Sequence, residues 1–392
     1  MSAPLTRNDY AQPIIAGVLA AIVGYASTFT LMLAALTASG ASPQQAGSGL
    51  FSTCVAIGIL NIVVAWRIRT PTSFAWTTPG LAFLLTVGEP VGGFPAVAGA
   101  FLACAALILL TGFIRPLARA VAAIPSALAN AMLAGMLLVL CLAPVNAAAE
   151  MPFQALPILA AWALGLRFAR RYAVPIAVVV TGIVLATTTH LPPNTFDGAW
   201  PNLVFVVPEF TADALIRIAL PLYVVTMASQ NLPGVAVMKA NGYTIQPAPI
   251  FVLTGVTSAL TALFGGVTNN LAAITAAICA GPEAHADPNR RWPAPVAAGF
   301  TYLALGLLAS LAAAFIAASP PLLIQAVAGL ALFSSLAGSL AGALADEESR
   351  LPAILTFVTT ASGITIAGIG APFWGLVGGI VLLIMLRTSK SS

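Results

Sequence analysis

Long stretches with almost no charged side chain recur along the whole of this chain. An α-helix needs about 20 apolar residues to cross the hydrocarbon core of a bilayer. Charged residues make up 7% of the 392 residues, against about 25% in a typical soluble protein. So few charges cannot cover a soluble body of this size, and most of its surface must therefore face lipid. The sequence predicts an all-α, multi-pass membrane protein.

Polar breaks divide the chain into 14 predicted transmembrane segments. They are expected near 13–36, 44–66, 71–88, 94–114, 126–143, 153–167, 173–190, 211–238, 247–265, 266–281, 294–317, 321–344, 351–369 and 371–387. If they alternate from a cytoplasmic N terminus, 14 of the 15 basic residues fall on the cytoplasmic side, and Arg217 is the exception. The positive-inside rule accounts for this bias. We therefore expect both termini in the cytoplasm.

Seven segments in each half imply that the two halves are inverted relative to each other. Weak matches in the same order support this repeat, for example 78–82 with 268–272, 190 residues apart, and 182–185 with 379–382, 197 residues apart. The predicted organisation has two seven-segment repeats and an extracytoplasmic link, with bounds 1–190, 191–210 and 211–392.

The third and tenth segments each look like a short strand followed by a half-helix. In segment three, Thr78 is a plausible N-cap and Pro79 suits the first helical position. In segment ten, Asn269 or Asn270 is the expected cap, and a short helix follows. Extended backbone at membrane depth is tolerated only where it is buried in protein or lines a cavity. For one such segment alone, an ordinary helix start is the better interpretation.

Two interrupted segments at equivalent positions of two repeats instead indicate a transporter's binding site. Inverted halves bring the amino ends of both half-helices together near the midplane. Free N–H groups and the positive dipole ends favour an anion there, by about 1 kcal/mol for each helix end.

Polar residues in two other segments have two interpretations each. Gln230 and Asn231, in segment eight, need hydrogen-bond partners in the membrane and either bind substrate or join helices. Tyr25 and Ser27, in segment one, lie in a small-residue stretch that favours close packing, with cavity lining as the alternative.

No ionisable residue lies in the middle of a segment near these positions. The nearest are Glu283 and His285, after segment ten, which form either a proton path or, as is commoner, a solvated cap. The four cysteines and two histidines show no metal-binding spacing. No metal, cofactor or catalytic residue is therefore predicted, and an intramembrane enzyme is a distant alternative. The basic residues are scattered between apolar runs and do not indicate nucleic-acid binding.

Several of these stretches resemble the benzoate:proton symporter family (BenE type). They are Gly-Tyr-Ala-Ser at 24–27, Trp-Thr-Thr-Pro-Gly at 76–80, Thr-Met-Ala-Ser-Gln-Asn-Leu-Pro-Gly at 226–234, Asn-Leu-Ala-Ala-Ile-Thr-Ala-Ala-Ile-Cys at 270–279 and Pro-Glu-Ala-His at 282–285. The family is similar in fold to nucleobase and sulfate-type anion transporters. The resemblance implies 14 segments in a core domain (segments 1–4 and 8–11) and a gate domain (5–7 and 12–14). It also implies a bacterial inner-membrane location and a homodimer.

One departure from the nucleobase-type relatives bears on the substrate. Those relatives carry a glutamate in segment eight and another near the tenth half-helix, where this chain has Gln230 and Asn269 or Asn270. A neutral lining suits an anionic substrate, because a fixed carboxylate would repel it. The same change leaves proton coupling without an obvious carrier.

The expected function is secondary active transport of an aromatic carboxylate such as benzoate, coupled to a proton, by alternating access. The alternative is a carrier of the same fold for a nucleobase or an inorganic anion. The expected substrate-binding residues are Tyr25, Ser27, Trp76, Thr77, Thr78, Pro79, Gly80, Ser229, Gln230, Asn231, Thr268, Asn269 and Asn270.

Overall fold

The computed structural model describes residues 7–114, 116, 119, 123–169, 172–188, 200–282, 284–317, 319–366 and 369–389. These residues are mostly helical, with two pairs of very short strands. In chain order the elements are α1 (Arg7–Ala38), α2 (Pro43–Ile68), β1 (Phe74–Trp76), α3 (Thr78–Val87), α4 (Gly93–Phe113), α5 (Ser126–Cys141), α6 (Ala143–Glu150), α7 (Pro152–Phe168), α8 (Ala173–Thr188), α9 (Ala212–Ala240), α10 (Pro247–Ala262), β2 (Asn269–Leu271), α11 (Ile274–Ala280), α12 (Pro293–Gly306), α13 (Ala309–Ala317), α14 (Pro321–Leu344), α15 (Arg350–Ala361), β3 (Thr365–Ile366), β4 (Ile369–Gly370) and α16 (Ala371–Ser389).

The predicted multi-pass helical architecture is confirmed, and each predicted segment matches one or two of these elements. Among the described residues, six helices are long and apolar enough to cross a membrane. The pair α12 and α13 makes a seventh if it counts as one span, and five further apolar helices are shorter. The exact number of 14 crossings stays a prediction.

Three segments differ from their predicted form. Segment eleven is not one straight helix but bends by 53° between α12 and α13. The bend follows Gly306, and glycine is a poor helix former. Segment thirteen ends as a helix at Ala361 and not near 369, since Gly363 adopts a positive φ of 66° and the β3–β4 hairpin follows. Segment five extends beyond its predicted end through α6 to Glu150.

The eighth segment, α9, contains two turns of π-helix, at Leu215–Ala219 and Met227–Asn231. A proline follows each turn by two residues, Pro221 and Pro233. Proline has no N–H to donate to the carbonyl four residues earlier, and its ring crowds that carbonyl. A local π-turn relieves this crowding, and such turns are frequent at functional sites.

The two strand and half-helix units confirm the short strands predicted before the half-helices, but at a different spacing. Strand β2 starts at Asn269 and β1 at Phe74, a separation of 195 residues (269 less 74). The match of 78–82 with 268–272, at 190 residues, is therefore out of register by about five positions. The first helical residues, Thr78 in α3 and Ile274 in α11, are 196 residues apart (274 less 78), close to the separation of the strands.

Helix packing falls into two groups. The most extensive contacts of the first group join α4 to α10, α2 to α12 and α1 to α12. Those of the second group join α5 to α14 and α15, α15 to α16, and α7 to α8. Helices α1 and α3 meet α14 and α5 between the two groups. The division into core and gate domains, and their relative movement, stay predictions.

Candidate functional site

The site is built around the antiparallel pair β1 and β2, where the two halves of the chain meet. Phe74 pairs with Leu271, Ala75 with Asn270, and Trp76 with Asn269. Helices α3 and α11 begin within three residues after their strands. The amino ends of both half-helices are therefore fixed to one small sheet.

An asparagine from a neighbouring helix holds each strand in place. In α2, Asn61 donates from Nδ2 to the Phe74 carbonyl (2.9 Å) and accepts from the Phe74 N–H (3.0 Å). In α9, Asn231 donates from Nδ2 to Asn270 Oδ1 (3.0 Å) and accepts from the Leu271 N–H (3.0 Å). Both asparagines are fully buried. Of the two interpretations of Asn231, these contacts match the second, because they connect helix α9 to strand β2.

A cavity of about 830 Å³ lies beside this sheet. A smaller lobe of about 370 Å³ shares Thr78, Gln230 and Ala273 with it. The volume is within the range of about 300–1,000 Å³ that is usual for small-molecule sites. Most of the wall is aliphatic, with Ile15, Leu19, Val23, Val174, Ile278 and Leu332 as its larger members.

Five of the predicted residues line this space. Trp76 lines the larger cavity, Pro79 and Ser229 line the smaller lobe, and Thr78 and Gln230 line both. The Gln230 side chain makes no hydrogen bond with the described part of the protein, although the residue is only 6% exposed. Its amide is thus available to a ligand.

Other predicted residues lie behind the cavity wall and support it. The prediction that Thr78 caps α3 is wrong: Thr78 is the first helical residue, and the buried Thr77 is the N-cap. The Thr77 hydroxyl oxygen accepts from the Gly80 N–H (3.0 Å) and from the Thr226 hydroxyl (2.8 Å). Gly80 is needed for close packing, because a Cβ there would lie 2.6 Å from a Leu222 methyl group. Tyr25 stacks on Phe29, with ring centroids 5.1 Å apart.

The prediction that Asn269 or Asn270 caps the tenth half-helix is wrong. Both belong to β2, and α11 begins at Ile274, with Ala273 in the N-cap position. Strand pairing competes with capping for these residues: the Asn270 amide donates to the Thr268 carbonyl (3.0 Å), and the Asn269 N–H donates to the Ser258 hydroxyl (2.8 Å). None of Thr268, Asn269 and Asn270 lines the cavity.

Three further predictions concern residues at the edge of what the structure describes. Glu283 and the Ser27 side chain lie outside the described residues. His285 is described: its Nδ1 accepts from the Asp287 N–H (3.0 Å) in the loop after α11, and it does not line the cavity.

Sequence reasoning missed several lining residues. Tyr302 contacts Trp76 edge to face, with ring centroids 5.7 Å apart, and Thr28 accepts from the Trp76 indole N–H (2.7 Å). Ser334 and Ser335 line both lobes from the opposite helix, α14. The adjacent serines could have been noticed as a polar pair in an apolar segment, whereas Tyr302 gives no such signal.

The electrostatics of the cavity come from backbone ends and neutral dipoles. Thr78 begins α3, and Ala273 and Thr275 lie at the start of α11, so both amino ends border the same space. Among the described residues that line either lobe there is no Asp, Glu, Lys, Arg or His. The positive ends of the helices therefore face a space without a fixed charge.

Solved structures of low sequence identity share the fold. The transmembrane domain of a cyanobacterium bicarbonate transporter, BicA, aligns with a TM-score of 0.61 at 16% identity, covering 96% of this chain and 98% of that one. The murine Solute Carrier 26 family member A9 anion transporter in the inward-facing state aligns with a TM-score of 0.62 at 12% identity, covering 97% of this chain and 69% of that one. The shared fold is that of a multi-pass membrane protein.

Sequence comparison then gives the family. The family described as "Benzoate membrane transport protein" (BenE) matches residues 9–385. The chain is 39% identical over 378 residues to "Inner membrane protein YdcO" of Escherichia coli (strain K12), covering 95% of each chain. It is 30% identical over 381 residues to "Benzoate membrane transport protein" of Acinetobacter baylyi, covering 96% of each. The chain belongs to the BenE family, as the sequence motifs predict.

Proposed function

We propose that this transporter carries an aromatic carboxylate such as benzoate, together with a proton, by alternating access. The observation that carries the proposal is the composition of the cavity. An aliphatic wall that includes Trp76 lies next to two helix amino ends and the unbonded amide of Gln230. The first part suits a ring and the second a carboxylate.

Each part of the substrate has a source of binding free energy. Burial of a ring of the size of a phenylalanine side chain contributes about 1.5–3 kcal/mol. Each helix end contributes about 0.3–1 kcal/mol to an anion, and up to about 2 kcal/mol where water is scarce. The family relative named as a benzoate transport protein supports the same substrate class.

The alternatives fit this lining less well. An inorganic anion would lose its water against a largely aliphatic wall without a side-chain cation to replace it, and desolvation of an unpaired charge is costly. A nucleobase presents N–H donors, for which a carboxylate is the stronger acceptor, and this chain has Gln230 in that place.

The cavity opens at one end of the molecule. Its lining follows α1 from Thr28 back to Ala11, a distance of about 25 Å along the helix, and Ala11 and Gln12 are exposed. Under the proposed topology, with a cytoplasmic N terminus, this opening faces the cytoplasm. Transport then requires the core helices to move against the gate helices α5–α8 and α14–α16.

For coupling, we expect the proton to travel with the substrate, because the described lining has no titratable carboxylate or imidazole. A relay through Glu283 and His285 is the rival route. The double variant Glu283→Gln with His285→Ala separates them. It keeps acid-driven accumulation of substrate if the substrate carries the proton, and shows exchange without accumulation if the loop is the relay.

A panel of ligands tests the substrate class on purified wild-type protein. Benzoate tests both features, benzamide lacks the charge, cyclohexanecarboxylate lacks the aromatic ring, and bicarbonate lacks any apolar part. We expect the tightest binding for benzoate, measured by calorimetry or by quenching of tryptophan fluorescence. Tighter binding of bicarbonate or of uracil than of benzoate would contradict the proposal.

A further inference from the structure

Two arginine side chains make the same contact at the ends of the half-helices that point away from the cavity. Arg291 donates from Nη1 to the carbonyl of Ala280, the last residue of α11 (2.6 Å). Arg217 donates from Nη2 to the carbonyl of Val87, the last residue of α3 (3.4 Å). Each guanidinium therefore caps a final helix carbonyl, where a cation also complements the helix dipole.

Arg291 connects α11 to the loop that follows it. Only 6% of the residue is exposed. Its Nε donates to the His285 carbonyl (2.7 Å) and its Nη2 to the Ala286 carbonyl (3.3 Å). Beside it, burial raises the pKa of Tyr243 while the guanidinium lowers it, and the Tyr243 hydroxyl donates to the Pro288 carbonyl (2.7 Å).

Arg217 makes an equivalent connection at the other half-helix. It pairs with Asp213 one turn earlier (3.4 Å), and Asp213 accepts from the Val91 N–H (3.2 Å). The network thus fixes the end of α3 and the turn after it to α9. Arg217 is also the basic residue that does not follow the predicted charge asymmetry. Its contact with the end of α3 explains why a basic residue lies on the predicted extracytoplasmic side.

The internal repeat does not explain the two contacts. Arg217 lies near the start of the eighth segment, whereas Arg291 lies between the tenth and eleventh, and these positions are not equivalent in the two halves. The half-helices have 10 and 7 residues, less than the about 12–15 residues that an isolated helix needs for stability in water. Their ends therefore depend on such contacts from other segments.

From these contacts we infer that Arg217 and Arg291 are positioning residues, which set the anion preference of the site by holding the amino ends of α3 and α11 at the cavity. The inference rests on the proposed function, because anion preference has a meaning only if the substrate is an anion. A neutral ligand of the same shape depends on ring burial and much less on these helix ends.

The variants Arg217→Lys and Arg291→Lys test the inference, since lysine keeps the charge but not the forked donor geometry. We expect the Kd of benzoate to rise about tenfold in each, a value within the range for helix-end interactions, and that of benzamide to change less than about twofold. Amide hydrogen exchange at Gly80, Leu81 and Ala277, whose N–H groups are hydrogen-bonded at the starts of these helices, should become faster. Arg290→Lys is the matched control, because Arg290 pairs with Asp287 (3.3 Å) beside the same loop.

If both ligands bind equally more weakly, the arginines have a general structural role and the inference is wrong. Unchanged benzoate affinity together with unchanged amide exchange would also overturn the inference. If a lysine variant does not fold, Arg291→Gln or Arg217→Gln is used instead, because the glutamine amide can still donate to the helix carbonyl. If neither replacement of an arginine folds, a specific effect on the site is also contradicted. If the wild-type protein binds benzoate and benzamide equally, the proposed function fails, and the exchange measurement still decides whether the arginines hold the half-helices.

Discussion

Gln230→Glu places a fixed negative charge in the wall of the proposed site with almost no change of shape. The Gln230 amide lines both lobes and makes no hydrogen bond within the described structure, so its replacement breaks no internal contact. If the substrate carboxylate binds near the helix ends, the new carboxylate will repel it. The repulsion should be specific for charged ligands.

The size of the effect follows from Coulomb's law. Two unit charges about 5 Å apart, at an effective dielectric constant of about 20, repel by about 3 kcal/mol. This corresponds to a loss of benzoate affinity of about two orders of magnitude. A charge in the exposed mouth of the cavity is screened by water and should cost less than about 1 kcal/mol.

The assay is benzoate and benzamide binding to purified protein, followed by calorimetry. Gln12→Glu is the matched control, since Gln12 lines the same cavity at its exposed end. We expect Gln230→Glu to bind benzoate about 100-fold more weakly and benzamide nearly normally, and Gln12→Glu to behave almost like the wild type. A folded Gln230→Glu protein with benzoate affinity within about threefold of the wild type would refute the placement of the site.

Two further variants test the support of the site. Asn231→Leu leaves the Leu271 N–H and Asn270 Oδ1 without these partners in a buried place. Each unpaired buried group costs about 1–3 kcal/mol of folding stability, so we expect a clearly lower melting temperature. An unchanged melting temperature would contradict the role of Asn231 in holding the strand. Trp76→Phe removes the indole N–H that bonds Thr28 and part of the ring surface in the cavity. We expect the benzoate affinity to fall several-fold, by about 1 kcal/mol, and we measure it by titration with benzoate and benzamide. An affinity equal to that of the wild type would show that Trp76 does not contribute to binding.

The segments of the chain could be predicted because lipid imposes one strong rule on them. Backbone groups in the bilayer must be satisfied within the protein, so long apolar runs become helices and breaks in them stand out. The Thr78-Pro79 pair and the polar residues Asn269 and Asn270 therefore predict the two interrupted segments, each of which the structure has as a strand followed by a half-helix. The family motifs independently pointed to the same elements.

The details of the site depend on which of several possible contacts each polar residue makes, and the sequence alone does not decide this. Asn269 and Asn270 are good helix caps by type, but here they pair as a strand, and their side chains bond Thr261, Thr268 and Asn231. The π-turn that contains Gln230 follows from Pro233 only when the surrounding packing is known. Ser334 and Ser335 reach the cavity because α14, a helix of the second group, contacts α1 of the first group.

Uptake by proteoliposomes tests the central claim most directly. Vesicles preloaded with unlabelled benzoate receive labelled benzoate outside at neutral pH, and an acidic outside is imposed in a second experiment. Protein-free vesicles correct for passive entry of benzoic acid. We predict exchange above this background, accumulation when the outside is acidic, and loss of both in Gln230→Glu. Benzoate flux equal to that of protein-free vesicles, with clear transport of bicarbonate or uracil by the same preparation, would contradict the account.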